Sequence, residues 1–400
     1  MTLALLLLST VIVFACLILE RARLDRRRRA IALVIAVTGT RGKSSVARML
    51  ASVLRESGRR VLAKTTGSEP ALVLPDGSVK QVRRGAHPSI IEQKHLIHLG
   101  AELGVDAAVV EIMSIHPENH LVETHYLLKP HLVLVTNLRV DHTAAMGNTR
   151  DEVASVIGLD IPEGARVFVP RQECLPSFRT TVAERGAELI EVPPEAGSES
   201  VELESEPGIS EFSENIDLVC AAARSLGVAD GTIWKGIRRT RRDIGALRIW
   251  RYRPAGSQAP CLAVNAFAAN DPESTMLVYG KVMTALGADP ERCVGLMNLR
   301  PDRGDRTLQW VDALSQGVLQ RFSRLYVFGL HAPALKRRLR RLDGAARIEV
   351  LRRSRPVEMM RTVASGIRDS GGVVFGFGNI GGVGQALAAH WSEVGEPLEV

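Results

Sequence analysis

Residues 36–46 read AVTGTRGKSSV, an apolar run that enters Gly39, Thr40, Arg41, Gly42, Lys43, Ser44 and Ser45 and continues into a helical pattern. The chemistry that needs this order is the holding of polyphosphate. Glycines let backbone N–H groups approach phosphate oxygens, a helix N-terminus adds positive potential, a lysine neutralises the outer phosphates and a serine hydroxyl ligates Mg2+. The strict P-loop pattern asks for glycine where Val37 stands, so the match is to the shorter G-T-x-G-K-S/T variant. The alternative is a chance glycine-rich turn. Glu111 ends a second apolar run, VDAAVVE, and a third, HLVLVTN, leads through Asn137 to Asp141 and His142. In an open parallel sheet the carboxyl ends of strands line the ligand crevice. Taken alone, Glu111 could mark a strand exit and His142 could cap a turn. Beside a phosphate loop they read as metal ligands, one Mg2+ being shared by Ser44, Glu111 and His142.

The elements that must position these groups alternate. IALVIAV, VDAAVVEI and HLVLVTNL are β-rich and VARMLASVLRESG is amphipathic, the pattern of a parallel α/β sheet with crossover helices. Residues 188–215 are acidic and contain Ser, Pro and Gly, which predicts a poorly structured excursion before the helix IDLVCAAARSLGV. Strand-like runs resume at LAVNAF, CVGLMNL, RLYVFGL and GGVVFGF. The expected organisation is an ATP-binding central domain over 31–245 and a smaller, Rossmann-like α/β domain over 246–400. With 46% hydrophobic and 24% charged residues in 400, disorder, collagen and coiled coil are excluded. Five cysteines without a CxxC pair argue against a disulfide framework or thiolate zinc site and for a reducing compartment.

Residues 2–19, TLALLLLSTVIVFACLIL, carry no charge. At about 1.5 Å per residue they cross most of a hydrocarbon core roughly 30 Å thick. Arg21, Arg23 and Arg26 to Arg29 follow, against Glu20 and Asp25, for a local balance of +6 − 2 = +4 out of a formal +7. The positive charge lies after the apolar run, opposite to a cleaved signal peptide. The expectation is an uncleaved single-pass anchor over 1–20 and a basic juxtamembrane flank over 21–30. The positive-inside rule then places everything after Arg21 in the cytoplasm, at the inner membrane. Much of the net charge is thereby assigned to the membrane flank, and nucleic acid is not expected as a partner. The basic run Lys336 to Arg341 reads as a solvated or membrane-facing surface, since aromatic residues are only 4% and offer no stacking platform. FGFGNIGGVG, at 375–384, is a passable dinucleotide fingerprint. The preferred reading is a tight strand-to-helix turn that packs the second domain or lies at the interface of a homo-oligomer.

These segments together resemble the Mur ligase superfamily of ATP-dependent amide ligases. TGTRGKSS resembles its ATP loop, VVEIMS its metal-binding strand and TNLRVDHTAAMG its T-N-I/L/V-x-x-D-H segment. Gly245-Ala246-Leu247-Arg248 is similar to the Gly-x-x-Arg at the domain junction. NAFAANDPEST, with Asn270 and Asp271, is similar to the region that contacts nucleotide from the C-terminal domain. Within the superfamily, the apolar N-terminal helix, KTTGSEP, NAFAANDPEST, NLRPDRGDRTLQW and FGFGNIGGVG resemble the ligase subunits of poly-γ-glutamate synthases. The likeness runs to about residue 390.

The resemblance implies ATP- and Mg2+-dependent γ-amide formation through an acyl phosphate, with glutamate and poly-γ-glutamate as substrates and small membrane subunits as export partners. Three anions meet in such a site and need screening. The sequence offers Lys43, Arg248 and the loop LRPDRGDRT, where Arg300, Arg303 and Arg306 alternate with Asp302 and Asp305. That loop could also be a solvated turn with internal ion pairs. The resemblance is incomplete in two respects. Many Mur ligases place a carbamylated lysine after the D-H pair to bridge a second metal, and no lysine occurs here between Lys129 and Lys235. A second metal is therefore held otherwise, with His142 as a candidate, or is absent. Where a peptidoglycan ligase carries a domain that grips a nucleotide-linked sugar, this sequence has the apolar helix. A γ-glutamyl ligase with another acceptor, and a P-loop ATPase that energises polymer export without forming bonds, are the competing readings.

Overall fold

The computed structural model describes residues 2–67, 70–82, 84, 88–194, 211–240, 247–254, 260–301, 303–352, 355–364, 367 and 372–398. The described residues up to 240 form one compact unit and those from 247 onward a second. The boundary expected at 245/246 lies outside the described residues.

The first unit opens with a helix, α1 (Thr2–Arg29), which runs through both the apolar stretch and the arginines that follow. Its sheet contains β1 (Leu33–Thr38), β2 (Val61–Thr65), β3 (Ala71–Val73), β4 (Val79–Gln81), β5 (Ala107–Glu111), β6 (Leu132–Val135), β7 (Arg166–Pro170) and β8 (Glu188–Val192). Their order is β4-β3-β2-β5-β1-β6-β7-β8, parallel from β2 to β8 and antiparallel at β3 and β4. β1 lies between β5 and β6, and Val34 to Val37 are wholly buried. Burial on both faces is why its sequence is continuously apolar rather than alternating. Two helices cover the sheet near the candidate site, α2 (Lys43–Glu56) and α3 (Glu92–Glu102). α2 buries Val46, Met49, Leu50 and Val53, the i, i+3, i+4, i+7 stripe of a core-facing helix.

In two places the structure departs from the sequence expectation. The acidic excursion starts later than 188, because Glu188–Val192 is strand β8 paired to β7; residues 195–210 lie outside the described set. The arginines at 21–29 are not set apart from the apolar stretch in secondary structure. They form the last turns of α1, where Leu24 and Arg28 are buried against the first unit.

The second unit holds β9 (Arg248–Tyr252), β10 (Cys261–Asn265), β11 (Cys293–Asn298), β12 (Arg324–Phe328), β13 (Ile348–Val350), β14 (Val373–Phe377) and β15 (Glu396–Leu398). Their order is β13-β12-β11-β14-β10-β9-β15, parallel except at β9 and β15. Trp250, Phe267 and Trp391 pack on one another in its core.

Candidate active site

The phosphate loop follows β1 and leads into α2. Gly39 and Gly42 adopt φ of 115° and 82°, a region that side chains rarely enter. Space imposes the same choice. A Cβ at Gly39 would stand 2.3 Å from Thr136 Oγ1, and one at Gly42 would stand 2.8 Å from Asn215 Nδ2. Asn215 lies in the first turn of the helix Ser213–Ser225, and no motif in the sequence marks it as a neighbour of the loop.

Asn137, just past β6, fixes the loop from the side. Its Oδ1 accepts hydrogen bonds from Thr40 Oγ1 at 2.6 Å and Arg41 N at 3.1 Å, and its Nδ2 donates to Arg41 O at 2.9 Å. Lys43 lies in the first turn of α2 and its Nζ donates to Gly39 O at 2.8 Å. Ser44 Oγ donates to Glu111 Oε2 at 2.7 Å, which joins the start of α2 to the end of β5; the same oxygen accepts from Thr66 N at 2.6 Å. Two of the three expected metal ligands therefore meet. His142, with φ of 47°, caps the short helix Thr143–Met146, and its Nε2 lies 3.8 Å from Asp141 Oδ1. Asp141 is held in turn by Arg41 at 3.0 Å. Among the described residues, no group of three or more His, Cys, Asp or Glu side chains gathers closely enough to hold a metal ion by itself.

Sequence reasoning missed a buried layer under the loop. His120 Nδ1 lies 2.9 Å from Asp160 Oδ1, and Asp160 also accepts from Thr38 Oγ1 at the end of β1. Burial works against charging His120, but the Asp160 charge and hydrogen bond outweigh it and raise its pKa. Glu123 is buried beside them; burial raises its pKa against the hydrogen bonds from Ser114, Gln93 and the Met113 N–H. Lys64 Nζ, 1% exposed, pairs with Glu92 at 2.9 Å, and Arg84 also binds Glu92. Burial depresses the Lys64 pKa more than Glu92 restores it. The Thr38–Asp160, His120–Asp160 and Lys64–Glu92 contacts join residues 28 to 122 apart, with no local pattern to announce them.

The second unit's candidates are placed as follows. Arg248 is exposed at the start of β9, opposite Asn265; Gly245 and Ala246 lie outside the described residues. Asp271 caps the helix Pro272–Leu286 by accepting from Ser274 N at 2.8 Å, and Asn270 O accepts from Trp310 Nε1 at 3.2 Å. Arg303 precedes the helix Gly304–Ser315, with its Nε 3.5 Å from Asp305 Oδ1. The glycine-rich segment is a strand-to-helix turn. Asn298, at the end of β11, donates to Asn379 O at 2.7 Å and to Gly381 O at 2.9 Å, which ties that turn down.

Residues 37–215 match the Mur ligase middle domain, and residues 251–394 match the poly-gamma-glutamate synthase CapB C-terminal domain. The chain thus combines a Mur ligase middle domain with a CapB C-terminal domain. Two curated relatives carry the name of its second half. The Capsule biosynthesis protein CapB of Bacillus anthracis is 30% identical over 288 residues, 72% of this chain and 61% of that protein. The PGA synthase CapB of Bacillus subtilis (strain 168) is 29% identical over 310 residues, 77% of this chain and 78% of that protein. The match thus spans about three fifths of the first relative's length. Among solved structures, E. coli FolC in complex with DHPP and ADP superposes with a TM-score of 0.66 at 15% identity, over 94% of this chain and 93% of that one. That likeness is one of fold, and the fold is Mur ligase-like. The loop, Glu111 and Asn137 all fall within the part matched to the Mur ligase middle domain.

Proposed function

We propose that this chain is an ATP-dependent amide ligase of the Mur ligase superfamily that extends poly-γ-glutamate. The observation that carries the reading is the Ser44–Glu111 hydrogen bond, which brings a phosphate loop and a strand-end carboxylate to one point. A serine hydroxyl and a carboxylate are hard oxygen donors, the set Mg2+ takes when phosphates and water fill its remaining positions. Ser44 and Glu111 would hold that ion, with His142 from the other neighbouring strand as the third candidate. Bound there, it would screen the charge of the phosphates. The loop N–H groups and Lys43 would grip the outer phosphates of ATP, and Asn137 would act as a positioning residue for the loop. An oxygen of the polymer's terminal γ-carboxylate would attack the γ-phosphorus and release ADP. The amine of the incoming glutamate would then attack the acyl carbon, the amide bond forming as phosphate departs. Arg248, Arg300 and Arg303 would supply further positive charge for a polyanionic substrate, and Asn270 and Asp271 would form the nucleotide-contacting segment of the second unit.

The apolar part of α1 has the length and hydropathy of a membrane span: an 18-residue stretch within Leu5–Arg29 reaches a mean hydropathy of 2.2. We place the catalytic units on the cytoplasmic side, working with small membrane subunits that carry the polymer outward. The test supplies radiolabelled glutamate, ATP and Mg2+ to membranes containing this chain and its partners. An acid-precipitable polymer that resists ordinary proteases is expected. ATP turnover indifferent to glutamate, with no polymer, would instead identify an ATPase of the export step.

A further inference from the structure

The two halves of α1 do different things. Residues 2, 3 and 5–19 are exposed, whereas Arg21, Leu24, Asp25 and Arg28 turn one face to the first unit. Leu24 joins the core cluster with Ile31, Leu96 and Leu128. Arg28, 6% exposed, donates to the carbonyls of Leu128, Lys129 and Ile31. Asp25 pairs with Lys129 at 2.9 Å, Arg27 donates to the His98 ring at 2.8 Å, and Glu20 pairs with Lys94 at 2.6 Å.

These contacts fix the direction of α1 relative to the sheet. Leu128 and Lys129 immediately precede β6, so Arg28 lies at the edge where the parallel strands begin. Lys94 lies in the first turn of α3, next to Glu92, which pairs with Lys64 near the end of β2. Glu20 therefore lies toward the edge where the strands end. The eight helical steps from Glu20 to Arg28 rise about 12 Å. Strands of five or six residues span about 17–20 Å, so the docked segment covers most of the sheet's height. Continued backward from Glu20, the apolar half projects past the carboxyl edge, which carries Gly39 to Ser44, Glu111 and Asn137.

We propose that the docked half of α1 holds the first unit on a lipid bilayer with the phosphate-loop edge of its sheet turned toward the membrane and the opposite edge turned away. This rests on the reading of residues 2–19 as a membrane span. The same geometry revises the basic flank. Arg27 and Arg28, which donate to the His98 ring and to the carbonyls of Leu128 and Lys129, thus serve docking as well as charge. An anionic chain lengthened at the carboxyl edge would emerge beside the bilayer, next to a membrane exporter.

The experiment uses the full chain in vesicles, with a donor dye on a single exposed cysteine and acceptor dyes on the lipid headgroups. Cys16 is exposed and is replaced (Cys16→Ala); the other four cysteines are buried. Glu118→Cys reports the carboxyl edge just after β5, and Glu102→Cys the opposite edge at the end of α3. Energy transfer several-fold stronger from position 118 than from position 102 is expected. A Gly-Ser insertion between Leu19 and Glu20 should erase the difference while the protein stays with the membrane. Equal transfer from the two sites in carbonate-resistant protein, or a difference that survives the insertion, would overturn the orientation alone. Release of the chain by alkaline carbonate would overturn the membrane span, and the orientation with it.

Discussion

At the scale of residues, Ser44 and Glu111 act as one unit, because one carboxylate oxygen accepts both the Ser44 hydroxyl and the Thr66 N–H. A single substitution at Glu111 therefore removes the proposed metal ligand and loosens the start of α2. Glu111→Gln should move the Mg2+ dependence of ATP turnover to higher metal by about 10–100-fold, the loss usual when a metal site is disturbed. Lys43→Ala should lower turnover by about 100–1,000-fold, as loss of one preorganised charge-stabilising donor does, with unchanged circular dichroism. The His120–Asp160 pair makes a prediction of a different kind. The folded-state pKa of His120 is raised above its ordinary 6.5, so its stabilising contribution is full below pH 6.5 and fades as pH rises through the folded value. His120→Gln should cost stability mainly below pH 6.5 and bring mutant and parent together at higher pH, as read by thermal unfolding. A uniform loss at every pH would show that packing, not charge, is what His120 supplies.

At the scale of elements, the loop's shape is imposed from a neighbouring strand. Asn137 satisfies Thr40 Oγ1, Arg41 N and Arg41 O from the end of β6 and is itself buried. Asn137→Ala would leave the Arg41 N–H without this acceptor, at a cost of about 1–3 kcal/mol, concentrated where ATP binds. The expected signature is a rise in KM for ATP that exceeds the fall in kcat. Equal changes in both would place Asn137 in contact with the reacting groups instead. The same elements show what was legible in the sequence. The loop, Glu111 and Asn137 could be read because parallel topology puts every strand end on one edge, so motifs far apart in the chain become neighbours by rule. Asp160, His120 and Asn215 escaped because their placement depends on side-chain packing between helices, which leaves no periodic trace. β8 was hidden by composition: ELIEV is an edge strand with partly exposed acidic residues, and in a one-dimensional reading it merges with the acidic segment behind it.

At the scale of the whole molecule, the formal +7 does not describe one surface. Part of it is structural, since Arg28 is buried and donates to the backbone carbonyls of Leu128 and Lys129. Docking thus makes the N-terminal helix a component of the first unit's core as well as its candidate tether, and truncations can separate the two roles. A chain lacking residues 2–19 keeps Leu24, Asp25 and Arg28 and should remain folded, leave the membrane fraction and retain ATP binding. A chain lacking residues 2–29 loses more. Burial of Leu24 contributes about 1.5–3 kcal/mol, and hydrogen bonds from a charged group such as Arg28 about 1.5–3 kcal/mol. The longer truncation should therefore unfold several degrees below the shorter one, the shift that ~3 kcal/mol produces in a domain of this size. Identical melting temperatures for the two truncations would mean that residues 20–29 rest on the surface without supporting it. In that case the arginines would return to the role their sequence first suggests, a charged flank at the headgroups.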